Sequence, residues 1–170
     1  MRKVLFLDRD GVINKDVHYL YRKEDMHFID GAPEALKKAV EAGYDLIVVT
    51  NQSGVARGYY TEEDVQVLHQ YMGDLLAQSG APILAFYYCP HLKGAKIKAY
   101  DKDCSCRKPK PGLLLQAMKD YSIDKKHSFM VGDKPGDVAA AKTAGLRGYQ
   151  FTGSNLDTFL GPLLEKEKRL

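Results

Sequence analysis

Two aspartates stand one residue apart in Leu7-Asp8-Arg9-Asp10-Gly11, directly after the apolar run Val4-Leu5-Phe6-Leu7. Residues two apart on an extended backbone share a side, so both carboxylates can meet one ligand. Gly11 permits the turn that brings backbone amides toward an anion. One carboxylate can attack while its neighbour handles protons; taken alone, the pair reads equally as an ordinary turn. Asp133 and Asp137 follow another apolar run, in Gly132-Asp133-Lys134-Pro135-Gly136-Asp137. Carboxylates gathered at one sheet edge repel unless a cation sits among them. A hard, oxygen-rich site of this kind suits Mg²⁺, which binds one or two carboxylates together with phosphate. Phosphate chemistry is therefore expected. Asp8, Asp133, Asp137 and a phosphate dianion outweigh Mg²⁺, Arg107 and Lys108 by one charge, so Asp10 is expected to start protonated, as a general acid must.

The three cysteines form a second cluster. Their odd number excludes a purely intramolecular disulfide framework, and all lie between Cys89 and Cys106. Cys89-Pro90-His91 and Cys104-Ser105-Cys106 supply three thiolates and an imidazole, a closed tetrahedral set for structural Zn²⁺; the alternative is three incidental thiols. Arg107-Lys108-Pro109 follows at once. A loose loop would pay conformational entropy each time those cations gripped an anion, and tying it to Cys89 removes that cost. Lys93, Lys96, Lys98 and Lys102 within the loop are read as solvated. Only Tyr100 offers an aromatic surface there, so no nucleic-acid partner is expected.

The elements that must position these groups are short apolar runs alternating with amphipathic stretches. Strands are expected over Lys3–Leu7, Asp45–Thr50, Ile83–Tyr88, Ser128–Val131 and Gly148–Phe151, several of them continuously apolar as buried parallel strands are. Helices are expected over Pro33–Ala42, from Thr61 onward, over Pro111–Tyr121 and over Pro135–Ala144. The alternation predicts an α/β fold, a doubly wound, Rossmann-like parallel sheet, with ligands beyond the carboxyl ends of its strands. Those ends carry Asp8 to Gly11, Thr50 to Gly54, Cys89 to His91, and Gly132 to Lys134. Gly11 to Ala32 and Leu92 to Lys110 are long connections but too short for a cap domain, so an open, loop-bordered site is expected. The tail Glu165–Leu170 reads as a solvated helix end.

A chain of 170 residues with 45% hydrophobic and 28% charged residues suits one domain over residues 1–170, with the metal loop at 89–106. The net charge of +3 is too small for a protein devoted to polyanions. The apolar run after Arg2 and Lys3 stops after four residues, short of the about 7–15 of a secretory signal. No run approaches the ~18 residues of a membrane span. A cytoplasmic monomer without membrane partners is expected. The non-enzymatic alternative is a zinc-bearing interaction domain whose acids hold a cation.

Leu7-Asp8-Arg9-Asp10-Gly11-Val12, the Thr50-Asn51 strand end, Lys108 and Gly132-Asp133 resemble the four ordered motifs of the haloacid dehalogenase superfamily of phosphohydrolases. The match spans nearly the whole chain. It implies that Asp8 takes the phosphoryl group, that Asp10 protonates the leaving alcohol and then activates water, and that Thr50 and Lys108 bind phosphate oxygens. It further implies that Asp8, the backbone carbonyl of Asp10 and Asp133 hold Mg²⁺, with Asp137 orienting metal-bound water. Read alone, Thr50 and Asp137 are equally a strand-end hydroxyl and a helix-start acid. Cys-Pro-His followed by Cys-x-Cys-Arg-Lys-Pro is similar to the branch containing the heptose-1,7-bisphosphate 7-phosphatases and the histidinol-phosphate phosphatases.

Between these two, Thr50 to Gly58 and Phe28-Ile29-Asp30-Gly31 resemble the heptose enzymes. The histidinol-phosphate branch has an acidic residue where Ser53 stands, which suits a cationic substrate. A sugar bisphosphate instead needs counter-charges, for which Arg57, Arg107 and Lys134 are candidates, Arg107 first. Asp16-Val17-His18-Tyr19 stands where the heptose branch contacts its substrate, usually through His-Gly-Tyr; with the histidine shifted, Asp16 and Tyr19 are the expected contacts. The expected substrate contacts are thus Asp16, Tyr19, Asn51, Ser53, Arg107 and Lys134. His27, His69 and His127 are given ordinary surface or core roles, and Tyr87 and Tyr88 are expected to pack in or beside the sheet.

Overall fold

The computed structural model describes residues 1–170. Five strands, β1 (Val4–Leu7), β2 (Asp45–Asn51), β3 (Ile83–Cys89), β4 (Phe129–Gly132) and β5 (Arg147–Gln150), form one parallel sheet in the order β3-β2-β1-β4-β5. The order reverses at β1, which puts the crevice for a ligand at its carboxyl end. The helices are α1 (Ala32–Glu41), α2 (Glu62–Gln78), α3 (Gly112–Asp120), α4 (Pro135–Thr143) and α5 (Leu156–Glu167).

Alternation along the strands divides the core in two. Leu5, Leu7, Leu46, Val48, Phe129 and Val131 face α1, α2 and α5. Val4, Phe6, Ile47, Val49 and Met130 face α3 and α4. Because both faces are covered, the strands read as continuous apolar runs rather than alternating ones. A capping box starts α2: Thr61 Oγ1 accepts from Asp64 N, and the Asp64 carboxylate accepts from Thr61 N.

The expected elements are all present, with ends shifted by at most one residue. At the carboxyl-terminal end, α5 is a helix of 12 residues packed on the sheet through Leu156, Leu160, Leu163 and Leu164, and all of Glu165–Leu170 except Glu167 is exposed, as expected of the tail. Its last turn is only partly solvated. Glu167 is buried, accepting from Arg147 Nη2 at 2.6 Å and Tyr149 OH at 2.8 Å, and so anchors the helix to β5. No helix is long and apolar enough to cross a membrane.

Candidate active site and metal loop

The chain leaves β1 and folds back at once: Ile13 N donates to Arg9 O at 2.9 Å and Gly11 N to Asn14 O at 2.8 Å. Gly11 has φ +85°, and a Cβ there would run into the Asp133 carboxylate. A Cβ on Gly132 would likewise run into Asp137. The two glycines let the ends of β1 and β4 close on each other, which brings acids 120 or more positions apart into one cluster.

Asp8 Oδ1 accepts from Arg9 N at 2.9 Å and from Lys108 Nζ at 2.9 Å, so Oδ2 is the oxygen without an N–H donor. Burial pushes the Asp8 carboxyl up to about 7; Lys108 opposes the rise and Asp137 adds to it. Asp133 is raised too, chiefly by burial, and its Oδ1 is buried without a partner. Asp8, Asp133 and Asp137 offer carboxylate oxygens within 4.8 Å of one another. An orphaned carboxylate oxygen beside a second raised carboxyl fits a hard divalent cation, which would satisfy the one and lower the other.

Asp137 is already engaged: Oδ1 accepts from Lys108 Nζ at 2.6 Å and Oδ2 from Lys134 N at 3.1 Å. Through these bonds it fixes Lys108 and the start of α4. Lys108 is engaged in a related way. All three of its N–H groups are used, on Asp8, Asp137 and the Val49 carbonyl, so phosphate can reach it only by displacing a partner.

At Asp10, burial raises the carboxyl, but the Arg9 guanidinium, Asn14 and Gln52 outweigh burial and hold it below the usual carboxylate range, which opposes the expected starting proton. Asn14 Nδ2 donates to Oδ1 at 2.9 Å and Gln52 Nε2 to Oδ2 at 3.1 Å. Gln52 also donates to Thr50 Oγ1 at 2.9 Å and accepts from Tyr60 OH at 2.6 Å, joining the two strand ends.

These groups open into a cleft of about 400 Å³. Asp8, Asp10, Thr50 and Lys108 lie in its wall, and so does every expected substrate contact: Asp16, Tyr19, Asn51, Ser53, Arg107 and Lys134. Arg107 Nη1 is buried without a partner, as a counter-charge awaiting an anion would be. Asn51 is reassigned by its bonds. Its Nδ2 donates to Lys108 O at 3.1 Å and its Oδ1 accepts from Lys108 N at 3.0 Å, so the side chain clamps the Lys108 backbone. His18 and Arg57 also line the cleft. Sequence reasoning gave no role to Gln52, Tyr60 or Asn14; the signal for Gln52 was its place one step beyond the β2 end.

At the carboxyl end of β3, Cys89 Sγ, His91 Nδ1, Cys104 Sγ and Cys106 Sγ all lie within 4.8 Å of one another. Cys106 Sγ is 2.7 Å from Cys89 Sγ, 3.2 Å from Cys104 Sγ and 3.4 Å from His91 Nδ1. Three soft sulfurs and one imidazole converging on a single point fit a tetrahedral metal, whose ligand atoms stand roughly 4 Å apart. The loop is fastened elsewhere as well: Ile97 N donates to Ala56 O at 3.1 Å, and Tyr100 OH donates to Glu62 Oε2 at 2.7 Å. Glu62 Oε1 accepts from Tyr88 OH at 2.7 Å, so Tyr88 packs beside the sheet as expected.

Known proteins are similar to this chain. Residues 3–155 match the family model described as polynucleotide kinase 3 phosphatase. The chain is 47% identical over 144 residues to the D-glycero-alpha-D-manno-heptose-1,7-bisphosphate 7-phosphatase of Photorhabdus laumondii, covering 85% of this chain and 79% of that one. It is 42% identical over 168 residues to the D-glycero-beta-D-manno-heptose-1,7-bisphosphate 7-phosphatase of Rhodopseudomonas palustris, covering 99% and 93%. Among solved structures, a HAD-like phosphatase from Mesorhizobium loti superposes with a TM-score of 0.87 at 31% identity, over 99% of this chain and 87% of that one. The D,D-heptose 1,7-bisphosphate phosphatase of B. bronchiseptica, complexed with magnesium and phosphate, gives 0.82 at 28% identity, over 96% and 99%.

Proposed function

Since the chain belongs to the polynucleotide kinase 3 phosphatase family, with heptose-1,7-bisphosphate 7-phosphatases as its near relatives, we propose that it removes the 7-phosphate of a D-glycero-D-manno-heptose 1,7-bisphosphate. The observation that carries the chemistry is Asp8, its Oδ1 held by Arg9 N and Lys108 Nζ and its Oδ2 without an N–H donor. Oδ2 attacks phosphorus while the bond to the sugar oxygen breaks, and Asp10 gives that oxygen its proton. Asp10 then takes a proton from water as the water oxygen attacks the Asp8 phosphoryl group, and phosphate leaves. The arriving dianion supplies the negative charge that raises Asp10 from its ionised state toward the acid form.

Asp8, the backbone carbonyl of Asp10 and Asp133 would hold Mg²⁺, which neutralises charge on the transferred group. Thr50 and Lys108 bind its remaining oxygens, Lys108 exchanging a carboxylate for phosphate. Arg107, with Lys134, meets the second phosphate, while Asp16, Tyr19 and Ser53 meet the sugar. Zn²⁺ in the set Cys89, His91, Cys104 and Cys106 serves as a structural tie, and reduced thiols of this kind suit a cytoplasmic setting.

Turnover of heptose 1,7-bisphosphate and of histidinol phosphate, measured side by side with Mg²⁺, tests the substrate. The bisphosphate is expected to have the higher kcat/KM by about two orders of magnitude, because histidinol phosphate leaves Arg107 without a partner. Equal or faster hydrolysis of histidinol phosphate would overturn the assignment. Asp8→Asn is expected to abolish phosphate release with circular dichroism and zinc content unchanged. Persistent turnover would mean another nucleophile.

A further inference from the structure

Behind Asp10 lies a fully buried arginine. Arg9 donates from Nε to Asp10 Oδ1 at 3.2 Å and from Nη2 to the same oxygen at 3.0 Å, with further Nη2 bonds to Asp10 Oδ2 at 3.3 Å and to Leu20 O at 3.1 Å. Its Nη1 lies 3.1 Å from His69 Nε2, on α2, sixty positions along the chain. A guanidinium only donates, so Nε2 must accept and the ring is neutral with its proton on Nδ1. Burial first, then Arg9, push the His69 imidazole down to about 3, consistent with that tautomer. The ring itself cannot rotate freely, since it stacks on Phe86 with centroids 4.4 Å apart and planes 16° apart.

We infer that His69 is a positioning residue for the reaction: by accepting from Arg9 it fixes the guanidinium that aims the Asp10 carboxylate. Without that acceptor, a buried Nη1 N–H would have to turn toward another partner, and the fork on Asp10 would turn with it. Phe86 sets the ring, the ring sets Arg9, and Arg9 sets the carboxylate that must protonate the leaving oxygen. This assignment rests on the reading of Asp10 as general acid.

The test separates positioning from folding by the leaving group. An alkyl phosphate ester needs a proton on its departing oxygen, whereas p-nitrophenyl phosphate releases a stabilised phenolate that does not. kcat/KM reports only the steps through phosphoryl transfer to Asp8, so it isolates the acid step from later hydrolysis. With the Mg²⁺-loaded full chain, His69→Phe is expected to lower kcat/KM for heptose 1,7-bisphosphate by about tenfold or more. For p-nitrophenyl phosphate the change is expected to stay within about threefold. His69→Gln, whose amide oxygen reaches the Nε2 position, should recover most of the loss; His69→Asn, one methylene shorter, should not. Should His69→Phe fail to fold, the Gln and Asn pair carries the same comparison.

Equal loss on both esters, or no difference between Gln and Asn, overturns the inference. Failure of the unmutated chain on heptose bisphosphate, while it cleaves another alkyl phosphate with the same pattern of variants, overturns the substrate reading and leaves the inference standing.

Discussion

Arg9, fully buried, and Arg107, half-buried, show how differently two arginines can serve one cleft. Arg9 spends its fork on Asp10, Leu20 and His69, whereas Arg107 keeps Nη1 buried without a partner at the cleft wall. A donor left unpaired costs stability unless a ligand fills it, so Arg107 is held ready for an anion. Arg107→Ala is accordingly expected to raise KM for the 1,7-bisphosphate by roughly tenfold or more, the effect of losing one charge-assisted contact. Heptose 7-phosphate, which lacks the second phosphate, should be cleaved unchanged; an equal rise for both substrates would place Arg107 on the transferred phosphate instead. The reactive carboxylates were legible as residues because Asp8 and Asp133 close apolar runs. Arg9 was not, since an arginine between two acids looks like a surface ion pair. Its burial depends on His69 arriving from a separate helix, and no local pattern carries that.

The cysteine–histidine loop brings the end of β3 to the segment that carries Arg107 and Lys108. Cys89 ends β3, and Cys104 and Cys106 lead directly into Arg107 and Lys108, while Asn51 at the end of β2 grips the Lys108 backbone from the other side. Removing the metal should loosen the Cys side of this clamp and leave the Asn51 side. Chelation, or Cys104→Ser, is therefore expected to lower kcat about tenfold or more through misplaced cations, with the sheet intact by circular dichroism and about one equivalent of zinc lost by elemental analysis. A native preparation holding no zinc, with full activity, would refute the tie. Among the elements, the strands were legible because a parallel sheet covered on both faces leaves unbroken apolar runs. The last helix was hidden. Leu156, Leu160, Leu163 and Leu164 follow helical spacing, but Gly161-Pro162 interrupts them as helix breakers do, and the charged tail masks the buried Glu167.

Across the whole molecule, charge is distributed far less evenly than the net +3 suggests. Residues 93–110 hold seven lysines and arginines against two aspartates, so the remainder of the chain is net acidic. Lys93, Lys102, Arg107 and Lys110 border a depression of about 220 Å³ that shares Arg107 and Lys108 with the cleft. Two of these cations are already committed, Lys110 to Asp103 at 2.8 Å and Lys108 to Asp8 and Asp137. Lys93 and Lys102 remain exposed and are expected to attract a doubly phosphorylated sugar by field rather than by contact. Salt screens such a field over about 10 Å at 0.1 M, whereas the buried contacts inside the cleft are shielded from it. kcat/KM for heptose 1,7-bisphosphate should therefore fall several-fold between low and physiological ionic strength while kcat stays level. Lys93→Gln with Lys102→Gln should flatten that dependence without changing kcat. A salt slope that survives the double substitution would assign the attraction to Arg107 and Lys134 within the cleft, and the exposed lysines would then be solvating groups alone.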